Sequence, residues 1–306
     1  MNISYKRLLI SSLCCLLYIV ANTIFMGVSW STIAVVAVAC IMFNLSVNIR
    51  KLIIAFLPII LFVLIYDFMR VYPNYKVNPI DTLGVYELEK SLFGIYTPEG
   101  TLIPCEYFKQ NHWGVLDFLS GIFYLCWVPL PIIYGLYLYF TRCRELCLRF
   151  TTAFLIVNLI GFAGYYIHPA APPWYVMDYG FVPDYSISGQ VAGFSHFDEM
   201  TGLGVFNMLY GKNANVFAAI PSLHSAYVPV ALYYALKTTR SKFWISILSV
   251  VSVGIWFSAV YSGHHYIIDV ALGITCTIVG LCFFELVLMR IPFVKQYYNK
   301  IGTMLS

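Results

Sequence analysis

Charge is what this sequence has least of. Asp, Glu, Lys and Arg make up 10% of its 306 residues, against about 25% in an ordinary soluble domain. That shortage excludes a water-soluble monomer. There is no internal repeat, no low-complexity tract and no run of like charge, so a solenoid, a disordered tail and a basic nucleic-acid-binding arm are all excluded. The nine cysteines include no CxxC pair. Most lie in apolar windows and only Cys105 in an outer polar stretch, so they read as small apolar packers, with neither a disulfide framework nor a metal site expected.

In place of charge the chain carries hydrocarbon and aromatic side chains, 60% hydrophobic with 25 Tyr, 23 Phe and 6 Trp. A bilayer span needs about 20 mainly apolar residues, because only a helix satisfies its own backbone hydrogen bonds in hydrocarbon. Windows at 8–28, 31–49, 52–69, 115–140, 150–167, 217–236, 243–261 and 266–289 predict an all-α, polytopic membrane protein with about eight transmembrane helices. The first two could form a tight hairpin through Val28, Ser29 and Trp30. Lys6 and Arg7 before the first window give it the look of a signal peptide. Its length, and the lack of a small-residue cleavage site, make it a retained anchor instead.

Few as they are, the charges give an orientation. Of the 18 basic residues, 13 fall on the side of the termini (Lys6, Arg7, Arg50, Lys51, Arg142, Arg144, Arg149, Lys237, Arg240, Lys242, Arg290, Lys295 and Lys300). Arg70, Lys76, Lys90, Lys109 and Lys212 fall on the other. By the positive-inside rule both termini are expected to be cytoplasmic. All six histidines then lie at the outer face, near two long polar stretches at 70–114 and 168–216. Long loops in compact proteins usually serve function.

Three outer segments concentrate the chemistry. Ala219-Ile220-Pro221-Ser222-Leu223-His224-Ser225 opens the sixth window, with Pro221 expected in the first helical turn and free amides there suited to phosphate. An interfacial histidine on a proline-started helix is the plainer alternative. Tyr261-Ser262-Gly263-His264-His265-Tyr266-Ile267-Ile268-Asp269 joins the last two windows. His265 and Asp269 are four apart and share a helix face, and a carboxylate there fixes the imidazole tautomer and frees the other nitrogen as base or nucleophile. A structural pair pinning two helices remains the alternative, although Asp at membrane depth is costly without a function or partner. Tyr165-Tyr166-Ile167-His168-Pro169-Ala170-Ala171-Pro172-Pro173-Trp174-Tyr175 is stiff and aromatic, fit to wall a headgroup pocket or to form an inert interfacial belt.

Pro221-Ser222-Leu223-His224, followed some forty residues on by His265-xxx-Asp269, resembles the type 2 phosphatidic acid phosphatase superfamily. The Pro-Ala-Ala-Pro-Pro-Trp-Tyr segment, the Asn-x-Phe-Ala-Ala-Ile-Pro-Ser-Leu-His run from Asn215 and His264-His265-Tyr266 are similar to its inositol phosphorylceramide synthase branch, the aureobasidin-sensitive enzymes. The resemblance implies a six-helix membrane core over residues 51–306, preceded by two accessory helices in 1–50, and chemistry without metal or cofactor. It implies His265 as nucleophile on phosphorus, Asp269 as its orienting partner and His224 as general acid and base. The implied substrates are phosphatidylinositol as donor and a ceramide as acceptor, joined through a phosphohistidine.

One position departs from the phosphatase pattern. Its Ser-Arg pair, seven and six residues before the nucleophile, is Ser258-Ala259 here, so the phosphate-gripping Arg is missing. A phosphodiester carries less charge than a monoester, and the loss argues against a simple phosphomonoesterase. Arg70 and Lys212 are the candidate replacement cations, with Ser222, His264, Asn215 and Tyr175 as further substrate-binding candidates. Glu87, Glu89 and Lys90 read as a solvated face. A lipid phosphatase using water with the same His224, His265 and Asp269 is the alternative. A transporter ranks behind both, because the ionisable groups gather at the outer ends, Asp117 and Glu285 being the main exceptions.

Overall fold

The structure is a computed structural model describing residues 4–141, 143–210 and 215–305. Helix α1 (Tyr5–Met26) turns into α2 (Trp30–Leu45) through a tight hairpin. Gly27 takes φ +86° there, and Ser29 Oγ accepts the amide of Thr32 at 3.3 Å. Helix α3 (Val47–Phe68) leads into an outer stretch made of α4 (Leu83–Phe93), a hairpin of β1 (Ile95–Thr97) and β2 (Gly100–Leu102), and α5 (Pro104–Gln110). Then come α6 (Gly114–Leu125), α7 (Pro129–Phe140) and α8 (Arg144–Ile167). The second outer stretch holds α9 (Pro173–Tyr179), α10 (Ser195–Thr201) and α11 (Val205–Tyr210). The chain ends with α12 (His224–Tyr234), α13 (Lys242–Tyr261), α14 (Ile267–Cys282) and α15 (Pro292–Leu305).

Each expected window contains a helix, the fourth being broken between α6 and α7 and the sixth helical only from His224, and the protein is an all-α, polytopic integral membrane protein. Among the described residues five helices are long and apolar enough to cross a bilayer, and α6 with α7, bent by 43°, makes a sixth if taken as one span. The bend falls where Pro129 and Pro131 withdraw amides from the helical ladder. Helix α2, with 16 residues, reaches only about 24 Å at 1.5 Å per residue, short of a bilayer core.

The sixth window departs most from expectation. Its helix starts at His224, and the stretch before it is an irregular, non-helical segment with an isolated bridge from Ala218 to Ala170. Phe217 accepts the amide of Ala170 at 3.1 Å, and the amide of Ser222 donates to the carbonyl of Asp269 at 2.9 Å. Pro221, joined to Ile220 by a cis peptide bond, therefore precedes the helix and is not in its first turn. The carboxyl end adds a helix beyond the last expected window. Helix α15 folds back on α8, burying Tyr298 and Leu305, with the Arg144 guanidinium donating to the Leu305 carbonyl.

Helix α8 packs on α3, α7, α12, α14 and α15, and α12 on α7, α8, α13 and α14, while α1 packs on α2 and α2 on α3. Lipid tails are as apolar as leucine, so helices associate through close packing and small residues. Gly273 on α14 sits where a Cβ would stand 2.0 Å from the carbonyl oxygen of Ser222. Gly161 and Gly164 on α8 make room for Leu223 and Pro221. Both contacts press the segment before His224 against the bundle. At the other end Glu285 accepts from Lys237 at 2.9 Å, Tyr234 at 2.7 Å and Arg149. That satisfied network is what allows a carboxylate there.

Candidate active site

The end of α13 and the start of α14 meet in a turn that has to place two histidines. Gly263 takes φ +75°, a conformation open to glycine. The amides of His264 and His265 then both donate to the carbonyl of Ala259 at 3.0 Å. Two outer segments clamp this turn, Trp174 donating its amide to Gly263 and Gly193 its amide to Ser262, each at 2.9 Å.

Asp269, wholly buried in the first turn of α14, accepts the Tyr266 amide at 2.9 Å and faces His265 Nδ1 at 3.3 Å. With Nδ1–H given to the carboxylate, His265 Nε2 keeps its lone pair. That nitrogen lies 3.1 Å from His224 Nδ1. Burial pushes the His265 imidazole down to about 4, so at neutral pH it is uncharged. Burial, with His265 and His224 alongside, also holds His264 well below its ordinary value.

The imidazole of His224 is boxed by Tyr124 at 5.1 Å and, edge to face, by Trp127 at 4.7 Å. Both aromatics belong to the bent span. The histidines form one wall of a cavity of about 260 Å³, with Phe62, Tyr66, Trp127, Tyr165, Trp174, Tyr210 and Tyr227 among its other walls. Val63, 53% exposed on α3, also lines it, so the cavity reaches the outer surface of the bundle. Among the described residues no Lys or Arg lines it.

Residues 102–283 match the PAP2 superfamily. The chain belongs to the PAP2 superfamily. It is 50% identical to the phosphoinositol dihydroceramide synthase of Bacteroides thetaiotaomicron, over 93% of each chain. It is 30% identical to the inositol phosphorylceramide synthase of Candida albicans, over 52% of this chain and 34% of that one. With the inositol phosphorylceramide synthase catalytic subunit of Saccharomyces cerevisiae it shares 29% identity, over 38% of this chain and 29% of the relative. No solved structure gives a significant match. The protein is therefore an enzyme of the PAP2 superfamily.

In this PAP2 enzyme His224, His264, His265 and Asn215 line the cavity, with Asp269 directly behind His265. Asn215 also donates to Asn74 Oδ1 at 2.7 Å. Asn74 in turn donates to the carbonyls of Tyr165 and Phe217, so this pair ties the first outer stretch to the cavity wall. Three expected substrate contacts lie elsewhere. The Ser222 hydroxyl is buried and accepts from Ser225. The Tyr175 hydroxyl donates to the Val182 carbonyl at 2.9 Å. Arg70 is paired with Asp67 at 3.1 Å on the surface of the bundle. Lys212 lies outside the described residues.

Several contributors are not evident in the sequence. Glu89, expected on a solvated face, is completely buried and accepts the amides of Ile267 and Ile268 at 2.8 and 3.2 Å. It caps the helix that carries Asp269. Burial pushes its carboxyl up to about 7. Tyr124 and Trp127 are hidden among the many aromatics. Ala259, where the superfamily pattern has Arg, is buried, and its carbonyl closes the catalytic turn.

Proposed function

We propose that this enzyme moves a phosphoinositol headgroup from phosphatidylinositol to a ceramide, dihydroceramide being the acceptor that the Bacteroides relative's name indicates. The observation that carries the reading is the line Asp269, His265, His224, with spacings of 3.3 and 3.1 Å, at the wall of an aromatic cavity open to the side of the bundle.

The donor's phosphodiester enters from the bilayer and breaks the 3.1 Å contact between His265 Nε2 and His224 Nδ1, the two imidazoles parting to admit phosphorus. The anionic headgroup favours a protonated His224. His265 Nε2 bonds to phosphorus as the bond to the diacylglycerol oxygen breaks, and His224 gives that oxygen its proton. Asp269 stabilises the positive charge that grows on His265. In the second half His224 takes the proton of the ceramide hydroxyl, whose oxygen bonds to phosphorus as the phosphorus–nitrogen bond breaks. Proton transfers of this kind contribute typically about 10²- to 10⁴-fold. The water-poor, aromatic wall favours a lipid alcohol over water in this second step. Lys212, in the short segment between Tyr210 and Asn215, is the cation proposed to meet the phosphate.

The basic residues Arg149 and Lys237 gather around Glu285 at the far end of the bundle from the histidines. This supports cytoplasmic termini and an active site on the extracytoplasmic face. Purified enzyme incubated with labelled phosphatidylinositol, with and without dihydroceramide, tests the proposal. Mass spectrometry should find label in an inositol phosphorylceramide only when the acceptor is present. Label passing to water alone would leave a phosphatase.

A further inference from the structure

Outside the catalytic line the outer face gathers a second set of ligand-type side chains. His112, Asp117 and His196 come from the loop before α6, the first turn of α6 and α10, and their nearest ligating atoms all lie within 4.8 Å of one another. His112 Nδ1 is 3.0 Å from Asp117 Oδ2. The imidazoles of His112 and His196 stack face to face, 4.1 Å apart and 9° from parallel. We infer that these three residues form a binding site for a divalent transition metal, zinc being the ion the donor set suits best.

Two features favour a site over a chance cluster. Asp117 is 4% exposed, and Tyr261 donates to its other oxygen at 2.7 Å. That is the outer-shell bond that orients a ligating carboxylate. Tyr261 also accepts the Trp113 amide at 2.9 Å, so the loop bearing His112 is fixed to the same anchor. A cavity of about 410 Å³ lined by His196 and Tyr261 gives an ion and its waters a way in.

Two imidazoles and a carboxylate, with water in the fourth position, are a zinc donor set, with metal–ligand distances of about 2.0–2.2 Å. At a tetrahedral angle such donors stand roughly 3.4 Å apart, so the His112–Asp117 spacing already fits. Parallel rings cannot both point at one ion, so binding turns an imidazole. His112, its side chain 44% exposed, turns by giving up its stack on His196, whereas Asp117 is held. A bound ion joins α10, in the second outer stretch, to α6 and to Tyr261. Ser262, His264 and the proposed nucleophile His265 lie within four residues of Tyr261, so the metal would brace the turn without touching substrate.

The test uses full-length enzyme purified without a polyhistidine tag, stripped with chelator, exposed to zinc chloride and desalted. Elemental analysis should find about one zinc per chain, with a raised Tm, and cobalt(II) in its place should give a visible ligand-field absorption. The double variant H112N/H196N should fold, bind no zinc and show no metal-dependent rise in Tm. His112→Ala alone, on the exposed ligand, should give the same loss if the double variant is unstable. No zinc on the wild type overturns the proposal. So does zinc that the double variant retains, or zinc lost only when His224 and His265 are replaced. None of these readouts depends on which lipids the enzyme joins.

Discussion

The carboxylate of Glu89 lies 2.8 Å from the amide of Ile267, 178 residues further along the chain. Through that bond the first outer stretch sets the start of α14 and so the position of Asp269. Glu89→Ala leaves two amides of α14 without their acceptor, at a cost of about 1–3 kcal/mol. It should lower both Tm and kcat, with Glu89→Gln recovering part of each. An unchanged Tm in Glu89→Ala would remove the capping role.

His265→Ala should abolish turnover in a protein that still folds. Asp269→Asn keeps the shape but loses the charge that steadies the imidazolium, so kcat should fall by about 10²- to 10⁴-fold. Rapid quenching of wild-type enzyme with labelled donor and no acceptor should trap acid-labile label on the chain. His224→Ala should slow both formation and decay of that species.

The pH response has two opposed parts. His265 is held below its ordinary 6.5, at about 4, so its share of stability is full above 6.5 and is lost as pH falls through 4. Glu89 is raised from 4.5 to about 7, so its share is full below 4.5 and is lost as pH rises through 7. Thermal unfolding across this range should show His265→Ala losing the acid-side sensitivity and Glu89→Gln the other. The limb of kcat/KM that reports protonation of His265 should lie well below the ordinary histidine value.

Gly273→Ala places a methyl group against the Ser222 carbonyl, where 2.0 Å is available. Backbone has to move, at a cost of about 1–3 kcal/mol or more. Because Ser222 lies two residues before His224, the His224–His265 spacing changes with it. Activity should fall further than Tm, and equal kinetics in Gly273→Ala would show that the two helices are not held by this contact.

Arg70 and Lys212 should separate cleanly. The Arg70–Asp67 pair is a surface contact, of a kind worth about 1 kcal/mol or less, and Arg70→Ala should leave kcat/KM nearly unchanged. Lys212→Met should lower it by about 10²- to 10³-fold if that cation meets the phosphate. Steady-state kinetics in mixed micelles compares the two.

His265 and Asp269 can be read from the sequence because charge is so scarce that an Asp in an apolar window stands out, although the expected shared helix face is not what joins them: His265 lies in the turn before α14 and meets Asp269 across the helix start. The helical windows are legible for the same reason, since the bilayer demands their length. Glu89 is not legible, because its partners are backbone amides far along the chain and its neighbours Glu87 and Lys90 look solvated. Nor is the irregular stretch before His224, whose apolar composition suits a helix and whose backbone is claimed by Ala170 and Asp269. Tyr124 and Trp127 carry no local pattern that sets them apart from the other aromatics.

The cavity beside His224 and His265 holds about 260 Å³, below the roughly 300–1,000 Å³ of pockets that enclose a drug-sized ligand. A polar headgroup fits and a pair of acyl chains does not, so the tails of donor and acceptor stay in the surrounding bilayer, beyond Val63 and the bent span. The concentration the enzyme responds to is then a mole fraction in the membrane plane. Diluting a lipid substrate with inert lipid should slow the reaction even when the bulk amount is constant, whereas changing acyl length should matter little. On the proposed reaction, diacylglycerol leaving and ceramide arriving would pass the same side of the cavity, and each should then inhibit entry of the other.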